Sequence, residues 1–134
     1  MSADVFLDTN ILVYGVVQGD ARTPRAESLL RQGCTISVQV LNEFTNVARR
    51  KLRRTWPEIN QAVGALRVLF PEPKAILPAT HAAALVIAQR EGFAFYDSLI
   101  IASAIEAGCS TLLSEDMQSG RVIADGLTIR NPFL

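Results

Sequence analysis

Short apolar runs that stop at polar residues alternate along this chain with longer stretches whose apolar positions recur every three to four residues. Val5-Phe6-Leu7 stops at Asp8-Thr9-Asn10, and apolar residues resume at Ile11-Leu12-Val13. That pattern reads as a short buried strand with an Asp at its carboxyl end and a helix starting near Asn10. The helix covers Ile11–Val17 and is broken by Gly19-Asp20. A second helix is expected from Pro24 to Arg31, with Thr23 as N-cap and Pro24 at the first helical position. Cys34-Thr35-Ile36 reads as a second strand, and Ser37 caps the third helix. Over Val38–Leu52 two apolar rows, Val40/Phe44/Val47 and Leu41/Ala48/Leu52, predict that helix to be amphipathic, with Glu43 beside the stripe. Pro57 opens a fourth helix to Leu69, closed by Pro71 and Pro73. Ala75-Ile76-Leu77 is a third strand candidate. A fifth helix runs from Ala79 or Thr80 to Glu91, ended by Gly92. Phe93–Tyr96 reads as an aromatic loop, after which Asp97 opens a sixth helix, Ser98–Ala107. Thr111-Leu112-Leu113 is a strand ending at Ser114-Glu115-Asp116, and Leu127-Thr128-Ile129 is the last.

Strands alternating with helices imply an α/β fold, with a mostly parallel sheet covered on both faces. The 134 residues fit one domain, with no linker, internal repeat or low-complexity tract. A hydrophobic fraction of 49% and a charged fraction of 19% describe a globular chain. Thirteen basic and thirteen acidic residues cancel, so any affinity for nucleic acid must come from a local surface. Cys34 and Cys109 sit in apolar runs and read as buried thiols in a reducing compartment. No secretory leader or membrane-spanning run is apparent, which points to the cytoplasm.

In a doubly wound sheet, strand carboxyl ends and helix amino ends face one edge, where ligands bind. Asp8 and Asp116 follow strands, Asp97 begins a helix, and Glu43 stands in the opening turns of one, so the four are candidates to converge. Carboxylates gathered in a cleft repel one another, and a divalent cation removes that penalty. Oxygen donors without His or Cys select a hard ion such as Mg²⁺ or Mn²⁺, and the chemistry best suited to such a site is phosphodiester hydrolysis. Thr9, Asn10 and Ser114 could orient the carboxylates or hold water. Each residue also has a plainer reading. Asp97 fits an N-cap, Asp8 could cap the first helix in competition with Asn10, Glu43 could be a solvated helix residue, and Asp116 ordinary loop polarity. The basic run Arg49, Arg50, Lys51, Arg53 and Arg54 is a solvated helix end by default and an RNA-backbone contact as the alternative. Trp56 beside it suits core packing, with base stacking as the other option. His81 is expected at or near the surface. No GxSxG, GxxxxGK[ST] or GxGxxG occurs.

Phe6-Leu7-Asp8-Thr9-Asn10, Leu41-Asn42-Glu43-Phe44, Tyr96-Asp97-Ser98-Leu99-Ile100 and Leu113-Ser114-Glu115-Asp116, with Asn131-Pro132-Phe133 at the end, together resemble a PIN-domain ribonuclease, and specifically a VapC-type toxin of a toxin–antitoxin pair. The resemblance spans the whole chain. It implies a three-layer α/β/α domain and an Mg²⁺- or Mn²⁺-dependent endoribonuclease with Asp8, Glu43, Asp97 and Asp116 as catalytic and metal residues. Ser114, Thr9 and Asn10 match supporting polar positions. It also implies a homodimer and a VapB-like antitoxin whose C-terminal segment fills an apolar groove and blocks the acidic site. Two other readings compete. A haloacid-dehalogenase-like phosphatase needs a second Asp where Asn10 stands, and Lys74 is a poor match for its lysine. A non-catalytic RNA-binding module would not need the full acidic set.

Overall fold

Three parallel strands carry the fold: β1 (Val5–Leu7), β2 (Thr111–Leu113) and β3 (Thr128–Arg130), in the order β1-β2-β3. The computed structural model describes residues 4–123 and 126–134. Register places Phe6, Leu112 and Ile129 side by side across the sheet, and none of the three is exposed to solvent. Apolar strands buried on both faces are what a parallel sheet flanked by helices requires. The helices are α1 (Thr9–Val16), α2 (Thr23–Leu30), α3 (Val38–Arg50), α4 (Trp56–Leu69), α5 (Pro78–Glu91) and α6 (Phe95–Glu106). α6 is buried without interruption from Ser98 to Ala104, and it touches α5, α3 and β2. A helix apolar on all sides belongs in the interior, which is why its sequence shows little amphipathic periodicity. No helix among the described residues is long and apolar enough to cross a membrane.

The α/β class and the order of elements follow the sequence pattern, with local departures. Cys34–Ile36 does not extend as a strand. Thr35 makes one parallel bridge to Phe6, with Thr35 N–H donating to Val5 O (2.9 Å) and Leu7 N–H to Thr35 O (3.0 Å). Ser37 caps α3 directly afterwards, accepting from Val40 N–H at 3.4 Å, so the chain turns away before a ladder can grow. Ala75–Leu77 is not a strand either. Its pairing falls one residue earlier, at a lone bridge from Lys74 to Ser37, and Pro78 then starts α5. The last strand lies one residue later than its hydrophobic pattern suggests, with Leu127 buried just before it.

Several helix starts also move. α2 begins at Thr23, whose hydroxyl donates to Val17 O (2.8 Å) instead of capping; Arg22 holds the cap position. α6 begins at Phe95, two residues before Asp97, because Ser98 N–H already reaches Ala94 O (2.9 Å). Phe95 and Tyr96 form the first residues of this helix instead of a loop, with Phe95 half-buried and Tyr96 exposed. Asp97 is therefore in the first turn and caps nothing. Cys34 and Cys109 are both buried, as their apolar surroundings predict.

Gly15 marks a close helix contact. A Cβ there would press on Cδ1 of Leu30, where α1 packs on α2. Gly15→Ala should lower stability by roughly 1–3 kcal/mol in denaturant unfolding, despite Ala's better helix propensity. A neutral or stabilising result would show that α1 and α2 do not pack this closely.

Candidate active site

Asp8 leaves β1 with its N–H donating to Leu113 O (2.9 Å), which carries the β1–β2 ladder one residue further. Its extended backbone (φ −78°, ψ 164°) makes it the N-cap of α1, so the capping role weighed against Asn10 falls to Asp8. One carboxylate oxygen accepts from Thr9 N–H (2.7 Å) and the other from Ser114 Oγ (2.7 Å). Ser114 Oγ in turn accepts from Met117 N–H (3.1 Å), and Ser114 N–H donates to Arg130 O (2.9 Å). The ends of all three strands thus meet around one carboxylate that is only 4% exposed. Burial pushes its pKa up to about 7. The Ser114 and Thr9 hydrogen bonds pull the other way, and the charges of Glu43 and Asp97 add to the rise.

Glu43 is brought to the same edge by α3. It accepts from the buried Thr9 hydroxyl (2.8 Å) and from Gln39 Nε2 (3.1 Å). Asp97, half-buried in the first turn of α6, has a pKa raised by burial and then by the charges of Glu43 and Asp116. Asp116 is exposed on the loop after β2. All four carboxylates line one cleft of about 320 Å³, together with Thr9, Asn10, Tyr14 and Lys51. Asn10 Nδ2 is buried and, among the described residues, meets no protein acceptor, which leaves a donor for water or a phosphate oxygen.

The neighbouring acid, Glu115, plays a different part. It accepts from the Tyr14 hydroxyl and from Arg22 Nη1 (3.0 and 2.8 Å), and its N–H donates to Asn10 Oδ1 (3.4 Å). Arg22 is itself gripped by Asp20 and stacks 4.0 Å from the Tyr14 ring. Burial alone would raise the Glu115 pKa, but the bonds from Tyr14 and Arg22 outweigh it and hold the group below its ordinary value. Glu115 therefore anchors the loop that presents Asp116 to the cleft.

Among the described residues no three acidic, histidine or cysteine side chains are drawn up as a ready ligand cage. The carboxylates instead border an open cleft whose donors are all oxygen. That suits a hydrated hard cation held by few protein atoms, as Mg²⁺ usually is. Lys74, the lysine a phosphatase reading would need, pairs with Ser37 and lines a different pocket from the acidic cleft.

The basic run divides. Lys51 lines the acidic cleft, whereas Arg54 borders an adjoining groove, where it pairs with Glu58 at 4.0 Å. Arg49 lies 4.6 Å over the Trp56 ring and donates to Arg54 O (3.0 Å). Trp56 is 54% exposed, against the expectation of core packing. Arg50 and Arg53 are exposed. His81 is exposed against Phe95, ring centroids 5.1 Å apart. Gln39, Tyr14, Arg22 and Glu115 carry no sequence signal of their own as site residues. Gln39 stands four residues before Glu43, a helical neighbour by spacing, whereas nothing local signals that Arg22 and Glu115 meet.

A PIN domain family model matches residues 5–122. No curated protein sequence matches the chain. Solved structures similar in fold include a toxin–antitoxin complex from Klebsiella pneumoniae (TM-score 0.72, 18% identity, covering 96% of this chain and 97% of that one). A second is VapBC2 from Rickettsia felis bound to a DNA fragment from its promoter (0.67, 19%, 95% and 97%). A third is VapC20 of Mycobacterium tuberculosis, a sarcin–ricin-loop-cleaving toxin (0.65, 19%, 84% and 91%).

The Asp8 shift has a stability consequence. The native state holds a proton on Asp8 up to about pH 7, whereas an unfolded Asp releases it near 3.8. This contribution is full below the unfolded value and is lost as pH rises through the folded one. Metal-free protein should therefore lose stability between pH 4 and 7, by up to about 4 kcal/mol from this group. Thermal unfolding of wild type and Asp8→Asn across that range checks it; the variant should lack this component. Equal pH dependence in the two proteins would contradict the burial argument.

Proposed function

The chain belongs to the PIN-domain family, and from that premise we propose that it is a divalent-metal-dependent endoribonuclease acting as the VapC-type toxin of a toxin–antitoxin pair. The observation that carries this reading is the single cleft shared by Asp8, Glu43, Asp97 and Asp116 at the carboxyl edge of the sheet. Asp8 and Asp97 are the residues best placed to hold Mg²⁺ or Mn²⁺, with Glu43 and Asp116 completing the acidic wall. When bound, such an ion supplies the positive charge that lets a phosphodiester approach these carboxylates and activates water for attack. Ser114 and Thr9 keep Asp8 and Glu43 fixed by donating to them. Asn10 offers a free amide donor, and Lys51 brings a mobile cation to the rim, where a phosphate would otherwise face only negative charge. The remaining run, Arg49, Arg50, Arg53 and Arg54, supplies local positive surface to a chain with no net charge.

The antitoxin belongs to the same reading. An apolar groove of about 400 Å³ between α1, α3 and α4 is lined by Val16, Val17, Phe44, Ala48 and Ile59 among others, and it shares Leu52 with the acidic cleft. A partner helix seated there could extend a basic side chain among the carboxylates in place of the cation. The exposed Leu85 and Val86 on α5 offer apolar surface for a homodimer. RNA substrate and protein partner put this activity in the cytoplasm, carried on one domain of 134 residues. The non-catalytic RNA-binding alternative gives no reason for gathering Glu43, Asp97 and Asp116 around the buried Asp8 in one cleft.

Asp97→Asn removes a charge and costs no capping bond, so the variant should fold normally. Cleavage of an RNA pool with Mn²⁺ should drop about a hundredfold or more, and wild-type cleavage should stop on chelation. Equal cleavage by the two proteins would remove Asp97 from the site. Lys51→Ala should leave the fold intact, weaken RNA binding and lower the salt slope of binding by about one. An unchanged slope would show that Lys51 does not meet a phosphate.

A further inference from the structure

α3 presents two adjoining rows to the site. Glu43, Val47 and Lys51, four residues apart, line the acidic cleft. Gln39, Asn42 and Asn46, at helical spacings of three and four, line a second pocket of about 320 Å³ together with Glu43 and Tyr96. Glu43 is common to both, so the pockets are neighbours.

The second pocket differs from the first in chemistry. Apart from Glu43, its lining is neutral: three amides and an aromatic hydroxyl. Two of its three amides are tied to neighbouring side chains. Gln39 donates to Glu43 Oε2 (3.1 Å) and accepts from Asn42 Nδ2 (3.4 Å), and it is 8% exposed. Among the described residues, this leaves the Asn42 carbonyl oxygen and the whole Asn46 amide without protein partners. Tyr96 is 62% exposed, edge-on to Phe95 with centroids 5.6 Å apart, and it directly precedes Asp97 in the first turn of α6. An exposed ring in that position contributes little to the core.

Neutral amides are weak attractants for a phosphate or a metal ion beside four carboxylates. They match a planar, uncharged ligand that offers donors and acceptors side by side, and a nucleobase edge is such a ligand. An aromatic face next to it is how single-stranded bases are commonly held. We propose that Gln39, Asn42, Asn46 and Tyr96 form a nucleobase subsite, which selects the base next to the phosphate that occupies the acidic cleft. The proposal rests on the ribonuclease reading and adds the source of its sequence preference. Gln39 acts as a positioning residue, tying the amide row to Glu43.

The test is cleavage of an unstructured, random-sequence RNA pool with Mn²⁺, with sequencing of the product ends. Wild type should show a base preference at one position flanking the cut. Asn46→Ala and Tyr96→Ala should each relax that preference about fivefold or more, with unchanged melting temperature because both residues are exposed. Tyr96→Phe should retain it, since the stacking face survives. Cutting with the same preference in both alanine variants overturns the subsite and leaves the nuclease reading intact. Cutting by wild type without any base preference does the same. Unchanged preference with weakened inhibition by a protein partner would make the pocket a protein-docking face instead. Failure of wild type to cut any RNA would remove the ribonuclease reading, and the subsite with it.

Discussion

The carboxylate of Asp8 is buried where three strands end, and the geometry of this edge is organised around keeping it there. Its two oxygens are spent on Thr9 N–H and Ser114 Oγ, so one residue caps α1 and ties β1 to the loop after β2. Those bonds do not repay desolvation, as the upward shift of its pKa to about 7 shows. A charge held at a cost in the native state is a common mark of a functional position. Asp8→Asn would keep the cap and relieve the charge, which separates its structural role from its electrostatic one.

The remaining carboxylates are added at decreasing depth. Glu43 is half-buried and held by Thr9 and Gln39; Asp97 is half-buried and, among the described residues, has no hydrogen bond to spread its charge; Asp116 is exposed. Different elements deliver the four: the end of a strand, the middle of α3, the first turn of a buried helix, and a loop. The rigid parts are the sheet and α6, and the loop is secured by the Glu115–Arg22–Tyr14 cluster. Acidic groups on such a frame cannot move apart to relieve their repulsion, so relief must come from protons or from a cation.

Much of this edge was legible from short-range pattern. The apolar run ending at Asp8 located both β1 and the deepest carboxylate, and the alternation of elements implied a parallel sheet with its chemistry at one edge. The Val40/Phe44/Val47 and Leu41/Ala48/Leu52 rows oriented α3 well enough to set Glu43 beside the apolar stripe. What stayed hidden depends on contacts distant in sequence. Cys34–Ile36 and Ala75–Leu77 have strand-like residues, but Ser37 and Pro78 turn the chain before pairing spreads. The start of α6 was obscured because Phe95 and Tyr96 read equally well as an aromatic loop. Trp56 fits a core by composition, yet it stands outside, stacked with Arg49. The separate fates of Glu115 and Asp116 are set by Arg22, 93 residues away from Glu115.

The most direct measurement is the position of Mn²⁺ in crystals of the protein, located by its anomalous scattering. A peak is expected in the cleft bordered by Asp8, Glu43, Asp97 and Asp116, with Asp8 and Asp97 among the ligands. An empty cleft at saturating Mn²⁺, in a crystal where the four carboxylates are unobstructed, would contradict a metal-dependent acidic site.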